Sequence, residues 1–577
     1  MIAPAETKPT PQPKTPGPWR HRSGNLLVAA VMFLWVGAFA PEPNVLATIP
    51  GVVGWLLLVE RCRSTKAAMG WTFLFGAITI GYGYRWLAPT TQDFGNLPVA
   101  ASWALTGIFG ALGILHGWVF LWFHRGMLSR GRRPHPLFTV LLFVACEHLP
   151  IRLFPWKVGH GAIDVPPLVQ FAEWGGVSAV SFVLLCLVIP IHEWIRWAFA
   201  RTGPAARPKA ALATFVIGAV LFGVGQLRYE AVRKIEAAED NETVRIALVQ
   251  PNIGHDDKRQ AEQNFGSRRQ RSIDAYKRGT AKAVAEGAEL ILWPETAITD
   301  ALPIMKPSFN AHRTNGYLNR MGYGFLQQYG AEGHAFLVGA YERKLANRAR
   351  ITGKPFDERW NIAALRLPGG LDASWDVYRK VYLIPFGEHI PSPLDSVLDP
   401  KQYLPQKFTM KPGSTEGEHA EHSTLLDYPS TGVGRTLKLA PFICYEGILP
   451  DFIRTVCGGE RPDVLVSLTN DSWFGDSWEP YQHLNFTRFR AVEHRAPLVR
   501  VTNTGISAFV SMTGDVAEEN TIPLFKEGTL TRDVVLVDRE PTVYVQFGWG
   551  FPYLAMLLSL LGLIGAWLRP PPLVTED

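Results

Sequence analysis

The chain has 577 residues, of which 47% are hydrophobic and only 19% are charged. Soluble proteins contain about 25% charged residues, so this composition excludes an ordinary soluble protein with a single domain. The formal net charge of +6 is spread over short loops between apolar runs, which is typical of membrane topology and excludes a concentrated nucleic-acid-binding face.

The chain opens with a polar, Pro-rich stretch, residues 1–23, which we predict to be a disordered tail. This stretch lacks the compact apolar core and the small-residue cleavage site of a signal peptide. Apolar runs then dominate residues 24–226 and return near the end of the chain. Because about 20 apolar residues cross a bilayer, we predict eight membrane spans, at 24–40, 44–60, 69–88, 98–123, 136–149, 175–197, 209–226 and 550–568.

Positive charge in the short loops indicates the orientation of these spans. Lys and Arg are concentrated before the first span and in alternate loops after it, which we therefore predict to be cytoplasmic together with the tail. Seven spans place the large domain, residues 227–546, outside the cytoplasm. The last span, within 547–569, returns residues 570–577 to the cytoplasm. Segment 150–174 is too polar to span and too apolar for a free loop, so we predict an interfacial or re-entrant segment.

The large domain alternates helical and strand patterns. Buried strands are predicted at 243–250, 288–295, 334–341, 360–368, 374–386, 436–446, 463–470, 496–503, 506–512 and 533–538, and helices at 267–286, 315–329 and 480–494. This order predicts an α/β domain of stacked sheets flanked by helices. The long segment 391–432 has little periodicity, and loops of this length often act as lids or binding loops.

The five cysteines indicate neither a metal site nor a disulfide framework. There is no CxxC motif, and no Cys/His pair has zinc spacing, so we predict no metal. So few cysteines in so long a chain are not expected to form a disulfide scaffold.

Three polar residues stand near the ends of predicted strands: Glu295 in ELILWPE, Lys380 in YRKVYLIPFGE and Cys444 in LAPFICYEG. A cysteine is a good nucleophile only as a thiolate, which a nearby base and cation favour. A carboxylate can take the thiol proton and return it to a leaving group, and a lysine can stabilise an oxyanion. The backbone N–H of Tyr445, at the turn after the cysteine, would be a second oxyanion donor. Each residue alone has an ordinary structural explanation, so the prediction depends on the three contexts together.

Those contexts resemble the nitrilase superfamily, whose triad is Glu, Lys and Cys in this chain order. Combined with the predicted spans, they make the chain similar to the apolipoprotein N-acyltransferase family. Further matching stretches are EHLPIRLFPWKVGH (147–160), VQPNI (249–253), SLTNDSWFG (467–475), QHLNFTRFRAVE (482–493) and VRVTNTGISA (499–508). The resemblance implies an α/β nitrilase-like αββα sandwich inserted into a polytopic α-helical membrane bundle.

The resemblance also implies a role for each member of the triad. Cys444 would be the nucleophile and Glu295 the general base. Lys380 would stabilise the thiolate and the oxyanion.

Four further residues match positions of the same family. Glu388, in PFGE, would support Lys380 and the geometry of the site. Tyr445 and Glu446 match family residues beside the nucleophile. Trp473, in NDSWFG, matches a tryptophan that lines the opening for the acyl chain or the substrate.

The implied reaction moves a fatty acyl chain from a membrane phospholipid, through a thioester on Cys444, to the N-terminal amine of the diacylglyceryl-cysteine of apolipoproteins. This would be the last step of bacterial lipoprotein maturation, in the inner membrane with the large domain in the periplasm, without a cofactor and within a monomer. One alternative is a membrane-tethered nitrilase-type amidase with a different acyl acceptor. A second is a non-enzymatic transporter or scaffold with a degenerate domain, which predicts a missing triad member, and none is missing.

Overall fold

The computed structural model describes residues 28, 30–93, 95, 97–149, 153–199, 207–254, 267–303, 318–345, 356–370, 373–397, 410–413, 425–457 and 460–568. We call residues 28–236 and 550–568 the helical half, because their regular structure is helical. We call residues 242–547 the sheet half, because two β-sheets form its centre.

The helical half is built from apolar α-helices joined by shorter helical turns. Its α-helices are Gly54–Arg61, Thr65–Gly83, Leu87–Asp93, Val99–Gly113, Leu115–Ser129, Pro136–His148, Pro166–Val169, Ala172–Phe199, Arg207–Glu236 and Gly550–Leu568. Short 3-10 helices occupy Phe33–Phe39, Val45–Ala47 and Val158–Ala162, and a short π-helix occupies Ile49–Val53. Leucine, valine and isoleucine side chains remain exposed along Arg207–Glu236 and Gly550–Leu568. Large exposed apolar faces of this kind indicate contact with lipid.

The predicted count of eight spans is not confirmed. Among the described residues, three helices are long and apolar enough to cross a membrane: Ala172–Phe199, Lys209–Glu236 and Gly550–Leu568. Val99–Gly113 and Leu115–Ser129 would add a fourth if the pair, bent by 41°, forms one span. The run 44–60 contains Pro50 and Gly51 and divides into three short helical segments. Pro136–His148 has only 13 residues, which is short for a span.

The described residues of the sheet half form twelve strands in two six-stranded sheets. The strands are β1 (Glu242–Gln250), β2 (Leu290–Pro303), β3 (Ala335–Leu345), β4 (Phe356–Arg366), β5 (Trp375–Arg379), β6 (Leu426–Pro429), β7 (Thr436–Ile443), β8 (Val464–Thr469), β9 (Leu498–Thr502), β10 (Ser507–Val510), β11 (Thr521–Ile522) and β12 (Gly528–Leu536). The first sheet has the order β12-β1-β2-β3-β4-β5, and the second has the order β11-β10-β9-β8-β7-β6. β1, β2 and β3 run parallel, as do β7, β8 and β9.

The two sheets bury one apolar core between them, to which Ile246 and Leu248 of β1 and Leu465 of β8 contribute. The helices Ser267–Ala285 and Phe325–Ala331 cover the outer face of the first sheet. The helices Pro450–Val456 and Glu479–His494 follow the strands of the second sheet. The domain is therefore the αββα sandwich that the sequence predicts.

Helix Glu479–His494 also joins the two halves. Its Phe486, Phe489 and Val492 belong to the same buried cluster as the helical half. Gln482 on this helix donates to the carbonyl oxygens of Phe39 and Gly83 at 2.8 Å each. These contacts hold the sheet half against one end of the helical bundle.

Three predicted boundaries can be compared with the described residues. Helix Arg207–Glu236 continues beyond the predicted domain boundary at residue 226, and the first strand begins at Glu242. Residues 153–174 of the predicted interfacial segment are mostly buried. In the predicted lid, 391–432, residues 398–409 and 414–424 lie outside the described residues.

Candidate active site

The three predicted triad residues lie in or directly after three strands, β2 and β5 of the first sheet and β7 of the second. Glu295 lies within β2, where the pairing with β3 shifts register between Trp293 and Ile298. Lys380 follows β5 directly, and Cys444 follows β7 directly. The register shift interrupts regular pairing at Glu295, and the other two residues stand just beyond a strand, so all three side chains are available for a site.

Lys380 is buried between two carboxylates. Its Nζ lies 3.4 Å from Glu295 Oε1 and 2.9 Å from Glu388 Oε2, and only 1% of its side chain is exposed. Burial alone lowers the pKa of Lys380, but the charges of Glu388 and Glu295 outweigh it, so this pKa lies well above its usual value. Lys380 therefore stays charged, and Glu388 contacts it.

Asn361 is a member of this site that the sequence analysis missed. Its Nδ2 donates to Glu295 Oε1 at 2.7 Å and to Glu388 Oε1 at 3.2 Å. One amide group thus bridges the two carboxylates that flank Lys380. A polar residue at the start of the apolar strand pattern WNIAALRLP is the signal that could have indicated it.

Cys444 occupies a strained backbone position at the start of the turn Cys444–Ile448. Its φ of 53° lies in the left-handed region, which costs a residue other than glycine about 1–3 kcal/mol. Burial and the negative charge of Glu295 raise the pKa of the Cys444 thiol well above its usual value, although Lys380 opposes them. Cys444 therefore rests as a thiol, which would need a base to react as a nucleophile.

Alkylation of the resting protein by iodoacetamide should report this high pKa. Because only the thiolate reacts, we expect the rate at Cys444 to rise about tenfold per pH unit up to at least pH 9. Intact-mass measurement across pH 6 to 9, with Cys444→Ala to identify the labelled residue, checks this. A rate that levels off near pH 7 would show a stabilised resting thiolate and contradict the expectation.

Glu446 ties the segment of Lys380 to the segment of Cys444. Its carboxylate accepts from the backbone N–H groups of Val381 and Tyr382 at 2.6 and 3.0 Å. It also accepts from the Tyr378 hydroxyl at 2.8 Å and from the Ile443 N–H at 2.7 Å. Burial raises the pKa of Glu446 to about 7 against these four donors. Glu446 thus fixes the spacing between the segments of Lys380 and Cys444.

A cavity opens beside Cys444 at the contact between the halves. Its walls are mainly aromatic and aliphatic. From the helical half they include Tyr84, Trp86 and Phe154, and from the sheet half Ile384, Tyr445, Ile448, Phe474 and Phe486, with the polar groups of Glu479, Gln482 and His483. Cys444 therefore faces a mostly apolar space shared by both halves.

Tyr445 and Trp473 have different relations to this cavity. Tyr445 lines it, and the Tyr445 hydroxyl donates to the carbonyl oxygen of Leu153 at 2.7 Å. Trp473 is half-buried in the turn Asp471–Trp473, and its neighbour Phe474 supplies the cavity wall. A role of Trp473 at an outer opening stays a prediction.

Comparisons with known proteins cover both halves of the chain. The carbon-nitrogen hydrolase family model matches residues 245–544, and the apolipoprotein N-acyltransferase N-terminal domain model matches residues 32–190. An apolipoprotein N-acyltransferase of Bdellovibrio bacteriovorus is 30% identical over 89% of this chain and 88% of its own length. The chain belongs to the apolipoprotein N-acyltransferase family. Another relative of that name, from Haemophilus ducreyi, is 27% identical over 93% of this chain and 97% of its own length.

Among solved structures, a mutant amidase of the nitrilase superfamily from Nesterenkonia AN1 aligns with 57% of this chain and 100% of its own chain. The sequence identity is 16% and the TM-score is 0.32. Membership of the apolipoprotein N-acyltransferase family therefore rests on the sequence matches. Those matches place the carbon-nitrogen hydrolase unit on the sheet half, which holds Glu295, Lys380 and Cys444.

Proposed function

We propose that this protein transfers a fatty acyl chain from a membrane phospholipid, through a thioester on Cys444, to the N-terminal amine of the diacylglyceryl-cysteine of apolipoproteins. The name that its relatives carry supports the acceptor, and the carbon-nitrogen hydrolase family supports a cysteine nucleophile. One observation carries the proposal furthest: the cavity beside Cys444 has apolar walls from both halves. A chain drawn from a bilayer needs such a surface, whereas a small polar amide does not.

In the first half-reaction, Glu295 takes the thiol proton of Cys444 as the sulfur attacks the ester carbonyl of the phospholipid. Lys380 Nζ and the Tyr445 N–H hold the oxyanion that forms. The intermediate then collapses: the ester C–O bond breaks, and Glu295 returns the proton to the departing lysophospholipid oxygen. The acyl chain remains on Cys444 as a thioester.

In the second half-reaction, the α-amine of the acceptor attacks the thioester carbon, and Glu295 takes a proton from the amine. The same donors hold the second oxyanion. The C–S bond breaks, and the proton passes to the sulfur of Cys444. Glu295 is the base in both half-reactions. The proposed reaction needs no cofactor, and a single protein chain supplies every catalytic group.

Two features of the helical half support a membrane orientation with the sheet half in the periplasm of the bacterial inner membrane. Glu60 lies near three residues of the basic loops that are predicted to be cytoplasmic. His124 Nε2 lies 3.0 Å from its carboxylate, Arg196 Nε lies 3.2 Å from it, and Arg133 Nη1 lies 3.7 Å from it. The sheet half instead contacts the helical half at Phe39 and Gly83. We therefore assign the basic end to the cytoplasm.

Purified protein, a phospholipid with a labelled acyl chain and a diacylglyceryl lipopeptide with a free α-amine provide the test. We expect the label to move to the lipopeptide amine and lysophospholipid to appear in equal amount. A lipopeptide with an acetylated N-terminus is the matched control and should remain unlabelled. Release of the label only as free fatty acid or onto small amines would favour the tethered amidase. No transfer at all would favour the non-enzymatic alternative.

A further inference from the structure

In the peptide group that joins Cys444 to Tyr445, the carbonyl oxygen has a hydrogen-bond partner. The Cys444 carbonyl oxygen lies 3.1 Å from Nε2 of His483. A carbonyl oxygen can only accept, so this ring nitrogen carries the hydrogen. His483 belongs to helix Glu479–His494, which packs between the second sheet and the helical half. The backbone of the nucleophile is thus held from a separate element.

A chain of buried polar groups fixes the ring of His483. Its Nδ1 lies 3.1 Å from Asp471 Oδ1, and Arg500 Nη2 donates to Asp471 Oδ2 at 2.9 Å. The exposed fraction is 4% for His483, 1% for Asp471 and 0% for Arg500. Glu479 Oε1 is 3.5 Å from Nδ1 of His483. Such a buried array holds a side chain in one orientation, because breaking any of its bonds leaves a polar group unsatisfied.

Asp471, Glu479 and His483 are also close enough together to be considered as metal ligands. The guanidinium of Arg500 already places a positive charge on Asp471. A metal cation bound in the same place would be repelled by that positive charge. The contact of His483 with the nucleophile's own carbonyl favours a positioning role for the cluster.

We infer that His483, held by Asp471, orients and polarises the Cys444–Tyr445 peptide so that the Tyr445 N–H points at the oxyanion of the acyl-transfer intermediate. The inference rests on the proposed function, since it assigns how one part of that site is built. His483 is a positioning residue, because it touches the peptide and not the substrate.

The physical link is the planarity of the peptide group. The carbonyl oxygen of Cys444 and the N–H of Tyr445 belong to one rigid plane, so fixing the first fixes the direction of the second. A hydrogen bond to the carbonyl also polarises the N–H and strengthens it as a donor. Tyr445 is the second residue of the turn Cys444–Ile448, so its N–H lacks a partner within that turn. The φ of 53° at Cys444 makes an outside anchor for this peptide necessary.

Two reactions of Cys444 separate this role from a general structural one. Acylation by p-nitrophenyl butyrate passes through an oxyanion, with the thiol proton taken by Glu295 and p-nitrophenolate as the leaving group. Alkylation by iodoacetamide needs the same sulfur but forms no oxyanion. In His483→Asn, the shorter amide cannot reach the carbonyl of Cys444. We expect the rate of acylation to fall about 10²-fold, as for the loss of one oxyanion donor, and the rate of alkylation to stay within about threefold.

Two further variants serve as a rescue of the hydrogen bond and as a matched control. His483→Gln places an amide N–H at about the reach of Nε2 and should recover most of the acylation rate. His494→Asn is the matched control, since His494 is buried on the same helix, with 1% exposed, and should leave both rates nearly unchanged.

The inference is overturned if acylation and alkylation fall together in His483→Asn, if neither falls, or if His483→Gln acylates no faster than His483→Asn. Should His483→Asn not fold, a folded His483→Gln that alkylates normally but does not acylate overturns it as well. The ester probe is independent of the natural donor. A wild-type protein that accepts the ester acyl group but none from phospholipid would refute the proposed function and leave this inference standing.

Discussion

Replacing Cys444 with alanine is expected to abolish the acyl-enzyme and with it the transfer of acyl chains. Removing the nucleophile of a catalytic triad costs a factor on the order of 10⁶ in kcat, so we expect transfer to fall below detection. Intact-mass measurement after incubation with phospholipid should show the wild-type chain heavier by one acyl group and the variant unchanged. The fold should survive, because alanine loses little apolar volume at this half-buried position.

The chain offers a matched control for this variant. Cys457 is buried in the same apolar core of the sheet half and follows helix Pro450–Val456. Its side chain is 0% exposed, so a phospholipid ester cannot reach it and it is not a competing nucleophile. Cys457→Ala should retain the mass increase and the transfer. If Cys444→Ala still gains one acyl group, or Cys457→Ala loses it, the assignment of the nucleophile is wrong.

The sequence predicts the parts of the site that local pattern determines. Glu295, Lys380 and Cys444 each stand at or near the end of an apolar run, and the structure places the latter two just after β5 and β7. The alternation of strands and helices predicts stacked sheets flanked by helices, and the family resemblance implies the αββα order. These features depend on neighbouring residues, which a single sequence displays directly.

The parts of the site that the sequence did not predict depend on contacts between segments that are distant in the chain. Asn361 lies 66 residues from Glu295 in the chain, and His483 lies 39 residues from Cys444, so neither pairing has a local signal. The eight predicted spans are not confirmed, because hydropathy reports composition and not the continuity of a helix. The run 98–123 is apolar throughout, but the helix ends at Gly113 and restarts at Leu115 with a bend of 41°.

Replacing Lys380 with methionine is expected to remove both activity and stability. The variant leaves Glu295 and Glu388 buried near each other without the cation that neutralises them. Breaking a buried ion pair costs about 3–5 kcal/mol, because the remaining charge loses its compensation. We therefore expect a clearly lower unfolding midpoint in detergent solution. The acylation rate per folded molecule should fall by about 10²–10³-fold with the loss of one oxyanion donor.

A second substitution separates the two effects. In Lys380→Met/Glu388→Gln, only one buried carboxylate remains in place of two, so the unfolding midpoint should recover part of the loss. Acylation should not recover, because no cation faces the oxyanion.

Arg379→Met is the matched control: it removes the neighbouring ion pair with buried Glu342, joined at 2.7 Å. This control should lower the unfolding midpoint while folded molecules still acylate. A double variant that regains acylation would make Lys380 a structural residue only, and an Arg379→Met protein as inactive as Lys380→Met would show that loss of stability explains both results.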